Sequence, residues 1–446
     1  MMRASHGLVL AVLGLLVVAT VMVNSASLSL AGSQPTTMDG IFLGKQTGFA
    51  VAAFLALLAG MWVPVDRLGT TGPRWWSTPV AWIAIATLGA LLLVHVPGIG
   101  REANGARRWI SLGPIGLQPS ELAKWAMPVL VAWYAVRFRD RMHTFKWGFA
   151  IPLACVSAVC GFIALQDLGT AVLIEVVALA VLLSAGTRWI YAAALAPVGL
   201  LAFATLIITS PYRVNRIAAF IDPYKDPQGI GYHIVQSMAA INGGGLAGRG
   251  LGNSELKFGY LPEATTDFIY SIVAEELGMT GSALVVALYL LLVACGVVIV
   301  TAAVRRAASG TSGAPGAPDA AGRLRGWLRG GTGEEEPLLS NFAQLVGFGI
   351  VLTVGLQALI NICVVTGLAP TKGIALPLLS RGGTGWILTC LSLGMLVSLE
   401  RAADRRRREL GVPVPGEARP DAGEPAPEPG ALAAPQHATG SEVSTA

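Results

Sequence analysis

Four carboxylates crowd into the stretch Tyr260 to Gly278, YLPEATTDFIYSIVAEELG, which runs directly into the apolar SALVVALYLLLVACGVVIV. An acid at the edge of an apolar block can answer the positive end of a helix. It can also act as a general base whose pKa is raised by desolvation. Both readings apply to Asp267, which follows Thr265 and Thr266 where the block begins. Glu263, just upstream, would repel it and push its pKa the same way. Glu275 and Glu276 lie about two turns deeper, where a charge needs a partner or a wet cavity.

A second cluster is PSELAK at 119–124. Glu121 and Lys124 are three apart and so share a helix face, while Pro119-Ser120-Glu121 reads as a helix start with Ser120 as its cap. The pair is either a capping and ion-pair device or a polar patch turned into a cavity. Trp109 follows Arg107 and Arg108. It can anchor at the membrane surface, or stack on a sugar ring while guanidinium forks hold phosphates. GGGLAG at 243–248 fits G-x-G-x-x-G but follows no strand, and reads as a flexible turn. The cysteines form no C-x-x-C and the histidines no H-x-x-x-H, so neither a disulfide framework nor a zinc site is expected. With no nucleotide motif in the chain, any chemistry must use an already activated substrate.

The elements that must position these residues are membrane spans. The chain has 446 residues, 54% hydrophobic and 13% charged, with mean hydropathy +0.63. That charge fraction is about half that of a soluble domain, and the apolar residues come in blocks long enough to cross a bilayer. Ten blocks fall at roughly 7–27, 46–65, 76–96, 118–136, 147–165, 168–186, 188–209, 267–303, 340–366 and 381–400. The fold class is therefore an all-α polytopic membrane protein of about ten spans, with a large outer loop at 210–266 between spans seven and eight. The eighth block is too long for one perpendicular crossing and is expected to tilt or project.

Basic clusters fall in alternate loops, at RFRDRMHTFK (137–146), Arg305 to Arg329 and RAADRRRRE (401–409). Positive-inside counting then puts both termini in the cytoplasm. The net charge of +5 belongs to this pattern and not to nucleic-acid binding. Residues 304–339 read as a cytoplasmic linker and 401–446 as a basic, then disordered, tail. The special residues collect on the outer face, at 97–124, 165–170, 210–267 and 370–383. Within the third of these, IGYHIVQSMAAI is expected to form an amphipathic helix along the interface.

Read in order, the motifs NGARRWISLG, QPSELAK, DLGTA, DPYKDPQGIGYHIVQS, GRGLGNS, LPEATTDF and INICVVTGLAPTKGIALPLLS resemble the SEDS family (shape, elongation, division and sporulation). The likeness covers roughly residues 40–400 and is closer to the division branch, FtsW, than to the elongation branch, RodA. It implies a peptidoglycan glycosyltransferase that polymerises lipid II, a disaccharide-peptide on undecaprenyl pyrophosphate, at the outer face of the bacterial cytoplasmic membrane. A class B penicillin-binding protein would supply crosslinking, among other division or elongation partners at the septum. The family's aspartate maps onto Asp267, its loop tryptophan onto Trp109, and its Glu, Lys and PTKG lysine onto Glu121, Lys124 and Lys372.

Pyrophosphate leaves readily once its charge is held, so a single base on the acceptor hydroxyl suffices, where hydrolytic glycosidases use two carboxyls. Asp267 is the candidate base, with inversion at the anomeric carbon. Arg108, Lys124, Arg213 and Lys372 are candidates to hold phosphate charge, and Glu263 to modulate Asp267. No cofactor is expected beyond a divalent cation, Mg or Mn, bridging carboxylate and pyrophosphate, and no residues are assigned to it. The chain departs from the family pattern in Thr265 for His, in Arg381 for Tyr, and in LQDLGT without the usual proline. A lipid II flippase and a non-catalytic septal scaffold are the competing functions.

Overall fold

A computed structural model describes residues 3–27, 44–69, 75–103, 106–112, 115–256, 265–311 and 341–409. Ten long helices occupy the ten apolar blocks: α1 (Ala4–Ser27), α2 (Lys45–Gly60), α3 (Pro79–Leu93), α4 (Pro119–Arg137), α5 (Ile151–Ala164), α6 (Leu168–Ser184), α7 (Trp189–Ile208), α10 (Ile269–Thr311), α11 (Phe342–Val365) and α12 (Thr384–Glu409). Two shorter helices, α8 (Pro211–Ile221) and α9 (Tyr232–Gly244), lie in the segment between α7 and α10. Among the described residues, six helices are long and apolar enough to cross a membrane, and α2, α3 and α6 are shorter apolar helices. The chain is a polytopic helical membrane protein.

Packing follows helical spacing. In α1, Leu8, Ala11, Val12, Leu15, Ala19 and Met22 are fully buried, a stripe at the i, i+3, i+4, i+7 positions that lies against α10. By contrast, α7 buries none of its side chains within the protein. It stands at the periphery with its apolar surface turned outward, as lipid permits.

Three sequence expectations change. The eighth block does not run on as one tilted rod: α10 breaks at Gly278, where φ is 67° and ψ −161°. Its short first segment, Ile269 to Leu277, is embedded among other elements, and Glu275 and Glu276 sit at the break with 1% exposure each. The run at 243–248 is the end of α9 followed by a tight turn packed into that break. Arg249 and Gly250 donate backbone hydrogen bonds to the carbonyls of Glu275 and Glu276, and Met279 donates to that of Gly245. Lastly, α9 turns its buried face to protein: Ser237 Oγ donates to the Val365 carbonyl at 2.6 Å and lies 2.8 Å from Ser271 Oγ.

The all-α expectation also gains a small sheet. Strands β1 (Gly100–Ala103), β2 (Ala106–Leu112) and β3 (Ile115–Leu117) form an antiparallel meander between α3 and α4. Linker residues 312–339 and tail residues 410–446 lie outside the described residues, as does Glu263.

Candidate active site

Asp267 lies just before α10 in a segment held by α11 and by the 370–383 loop. Asn361, inside α11, donates from Nδ2 to the Asp267 carbonyl at 2.9 Å and to the Ile374 carbonyl at 2.7 Å. Ser380 Oγ donates to the Thr266 carbonyl at 2.6 Å, and the Arg381 amide to the Thr265 carbonyl at 2.7 Å. The 265–267 segment and the 370–383 loop thus fix each other. Thr265 and Arg381, the two departures nearest Asp267, are direct backbone partners. The Asp267 carboxylate is half-buried and turned to the loop: a side chain on Gly373 would begin 3.1 Å from its Oδ2.

Lys372, the next residue, is half-buried with its ammonium over the Phe203 ring of α7 at 5.5 Å. Burial pushes its pKa below the ordinary lysine value, and the neighbouring Asp167 carboxylate offsets part of that. Asp167 caps α6, accepting from the Thr170 amide at 3.1 Å and its hydroxyl at 2.7 Å. Arg216, which the sequence reading passed over, donates to the Thr371 carbonyl at 2.9 Å and ties α8 to the same loop.

Glu121 and Lys124 do form the pair their spacing predicts, at 2.7 Å. Ser120 is not the cap. Gln118 occupies that position without a side-chain bond, and Pro119 takes the first helical turn, where its missing N–H costs nothing. Lys124 is only 3% exposed and also donates to Gln357 Oε1 at 2.9 Å, while Gln357 Nε2 donates to the Ala375 carbonyl at 2.7 Å. With its donors committed, Lys124 supports the loop from behind and does not face a ligand.

Arg213 uses two of its five N–H donors on the carbonyls of Leu206 at 2.8 Å and Ala164 at 3.0 Å. It joins the ends of α7 and α5, with its other donors left over. Gln357 and Asn361 are four apart on one face of α11. That spacing of amides inside an apolar span was the sequence signal that could have found them.

The sheet separates Arg108 from Trp109. Arg101 pairs with Trp109 and Glu102 with Arg107, so Arg108 is a bulged residue, a device that re-aims a side chain. Arg108 points with buried Ile110 toward the body of the protein, into a cleft that it lines. Trp109 is 38% exposed on the other face, against Gly116. The two do not form one sugar-phosphate platform. Thr384 Oγ1 donates to the Gly116 carbonyl at 3.0 Å and anchors the sheet to α12.

The order of these parts decides the family. Residues 6–310 and 335–405 match the family model FTSW_RODA_SPOVE, described as "Cell cycle protein". The chain belongs to that family. The probable peptidoglycan glycosyltransferase FtsW of Aromatoleum aromaticum is 36% identical over 405 residues, 90% of this chain and 88% of the relative. That of Legionella pneumophila is 35% identical over 403 residues, 90% and 91% of the two chains. Among solved structures, a chain of a peptidoglycan synthase complex that coordinates polymerization and crosslinking aligns with TM-score 0.58 at 24% identity, over 87% of this chain and 97% of that one. The rod shape determining protein RodA of Thermus thermophilus aligns with TM-score 0.56 at 24% identity, over 89% and 96%. These two establish the fold.

Proposed function

We propose that this chain, a peptidoglycan glycosyltransferase of the FtsW, RodA and SpoVE family, polymerises lipid II during cell division with Asp267 as the general base. The observation that carries the reading is the half-buried Asp267 carboxylate, mounted on a strapped segment and facing Gly373 of the loop that also carries Lys372. An acceptor hydroxyl within hydrogen-bond reach would give its proton to Asp267 as its oxygen attacks the anomeric carbon. The carbon–oxygen bond to pyrophosphate breaks, and its electrons leave with the pyrophosphate. Lys372, whose ammonium makes no hydrogen bond among the described residues, and Arg108 neutralise that charge. Lys124, its three donors committed to Glu121 and Gln357, serves as a positioning residue with Glu121, while Arg213 keeps donors to spare for phosphate charge. Attack opposite the leaving group inverts the sugar.

A divalent cation, Mg or Mn, enters no step. Among the described residues no group of three His, Cys, Asp or Glu would hold a metal, and such an ion would take ligands largely from the substrate's phosphates. The partner proposed for crosslinking is a class B penicillin-binding protein, in keeping with the synthase complex that shares the fold. The location proposed is the cytoplasmic membrane at the septum.

The test is polymerisation of fluorescent lipid II by the purified chain with that partner. Asp267→Ala and Asp267→Asn should abolish glycan strands while leaving the melting temperature within a few degrees of wild type. Strands formed at the wild-type rate by either variant would remove Asp267 as the base. Lipid II scrambling in liposomes without strands would mean a flippase.

A further inference from the structure

At the far end of α4 from the Asp267 site, the loop to α5 meets the loop between α6 and α7. Positive-inside counting gives that side to the cytoplasm. Arg137, Arg139, Arg141 and Lys146 come from the first loop and Arg188 from the second, and all five are exposed. We propose that they form a binding site for a phospholipid of the inner leaflet that carries two phosphates on one headgroup. The site takes no part in the polymerase reaction and stands apart from the assignment of Asp267.

Positive-inside counting accounts for basic residues on this side, but not for the frame that holds them. Met142 is buried beneath the first loop. A single π-helical turn, Phe145–Ala150, follows Thr144, whose hydroxyl accepts from the Trp147 amide at 3.4 Å. Tyr134 of α4 donates to the Trp147 carbonyl at 2.7 Å. Phe138 and Trp147 stack at 5.2 Å, and each carries a guanidinium. Arg137 lies 5.7 Å from the centre of Phe138, and Arg141 lies 5.3 Å from that of Trp147. The second loop is tied on by the Thr187 hydroxyl, which donates to the Gly148 carbonyl at 2.8 Å. Tyr191 adds a bond to the His143 carbonyl at 3.2 Å. Two cations are thus oriented by rings, and all five ride on one joined frame.

The charge on that frame is left open. At the same end of the bundle Arg3 pairs with Asp404, whereas none of these five side chains makes a hydrogen bond or ion pair among the described residues. Asp140 is the one acid in the two loops, so four positive charges stay uncompensated. A headgroup with a single phosphate diester would neutralise one of them, while two phosphates on one headgroup can engage both loops at once. Phe145, Trp189 and Ile190 are exposed beside the cations. Tryptophan at the end of a span lies at headgroup depth, which sets these apolar side chains against the first carbons of the acyl chains. An acidic protein segment would answer the charge and leave them in water.

The experiment is equilibrium binding of cardiolipin with a fluorescent acyl chain to the full-length chain in a neutral detergent. One variant combines Arg139→Gln, Arg141→Gln and Arg188→Gln, and a second carries Arg188→Gln alone. A third, Arg405→Gln, removes an exposed cation outside the two loops, at the end of α12. The combined variant should bind cardiolipin about 100-fold more weakly than wild type, and Arg188→Gln about 5-fold. Arg405→Gln should bind like wild type. Unlabelled phosphatidylglycerol, with one phosphate, should compete about 10-fold less well than unlabelled cardiolipin, as two cations left unanswered imply. Equal affinity of wild type and the combined variant would overturn the proposal. So would a loss in Arg405→Gln equal to that in Arg188→Gln, which would make the attraction one of total charge. Phosphatidylglycerol competing as well as cardiolipin would overturn the two-phosphate assignment, and a polyglutamate peptide competing better than either lipid would give the site to a protein partner instead. Should the combined variant melt early without lipid, Arg188→Gln decides alone.

Discussion

Asp267 and Gly373 meet at the distance where a single added carbon matters. A methyl at Gly373 would begin 3.1 Å from Asp267 Oδ2, so Gly373→Ala must turn the carboxylate or shift the loop by a few tenths of an ångström. Displacements on the ångström scale in a reacting group cost up to about 100-fold in rate. Gly373→Ala is therefore expected to lower the polymerisation rate about 10- to 100-fold with little change in melting temperature, checked by initial rates and a thermal melt on the same preparation. Lys372 gives a second residue-scale expectation. Because burial lowers its pKa, the ammonium loses its proton, and its hold on pyrophosphate, at a lower pH than an exposed lysine would. The rate should fall on the alkaline side accordingly, and Lys372→Arg, which keeps its charge, should move that fall to higher pH; superimposable pH–rate profiles would contradict the assignment. At this scale the sequence was legible where partners are close in the chain, as for Glu121 and Lys124. It was not legible where the partner is remote: Lys124 reaches Gln357, and Arg213 reaches the Ala164 carbonyl. No local spacing encodes those contacts, and the first turns one expected phosphate ligand, Lys124, into a support.

The break in α10 is what lets one apolar run serve both as a mount and as a span. Gly278 takes a backbone conformation closed to residues with a side chain, and its added carbon would sit 2.3 Å from the Gly248 amide nitrogen. A carbon added to Gly248 would in turn sit 2.2 Å from the Glu276 carbonyl oxygen. Gly278→Ala would incur at least the 1–3 kcal/mol typical of a strained backbone, roughly, and would collide with the turn as well. We expect a clear loss of melting temperature in detergent, whereas Gly383→Ala, with open space around it, should melt like wild type. Below the break, Ser25 Oγ donates to Glu276 at 2.8 Å and the Gly252 amide at 3.1 Å, so the acid links α1 to the turn. Glu276→Ala removes the acceptor of both bonds, and loss of the charged partner of the buried Ser25 hydroxyl should destabilise by about 1–3 kcal/mol, measured by denaturation in the same detergent. Block lengths showed the helices themselves, and the excess length of the eighth block showed that something had to give. They did not say where, because a glycine in an apolar run is as common in a straight span as at a break. The meander was better marked than the loop reading allowed: Asn104-Gly105 between Ala103 and Ala106 is the two-residue hairpin signal, hidden by reading the arginines for charge alone.

For the molecule as a whole, the two ends of the bundle carry different work. At one end the sheet, the 265–267 segment and the 370–383 loop are joined through Thr384, Arg381 and Ser380. At the other, Arg3 pairs with Asp404 at 3.5 Å, and the Ser5 amide donates to Glu400 Oε2 at 3.0 Å. The start of α1 and the end of α12 therefore lie together, in keeping with the even number of crossings expected from the sequence. In the proposed topology that side is the cytoplasmic one, because the last turns of α12 are rich in arginine and basic segments stay in the cytoplasm. Fluorescent-protein fusions before Arg3 and after Glu409 should both be bright, and alkaline phosphatase at either position inactive. Phosphatase inserted near Tyr224, in the exposed turn after α8, should be active. Phosphatase activity at a terminus would turn the site toward the cytoplasm, away from the wall that a peptidoglycan glycosyltransferase must build, and so would remove the outer-face reading together with the topology.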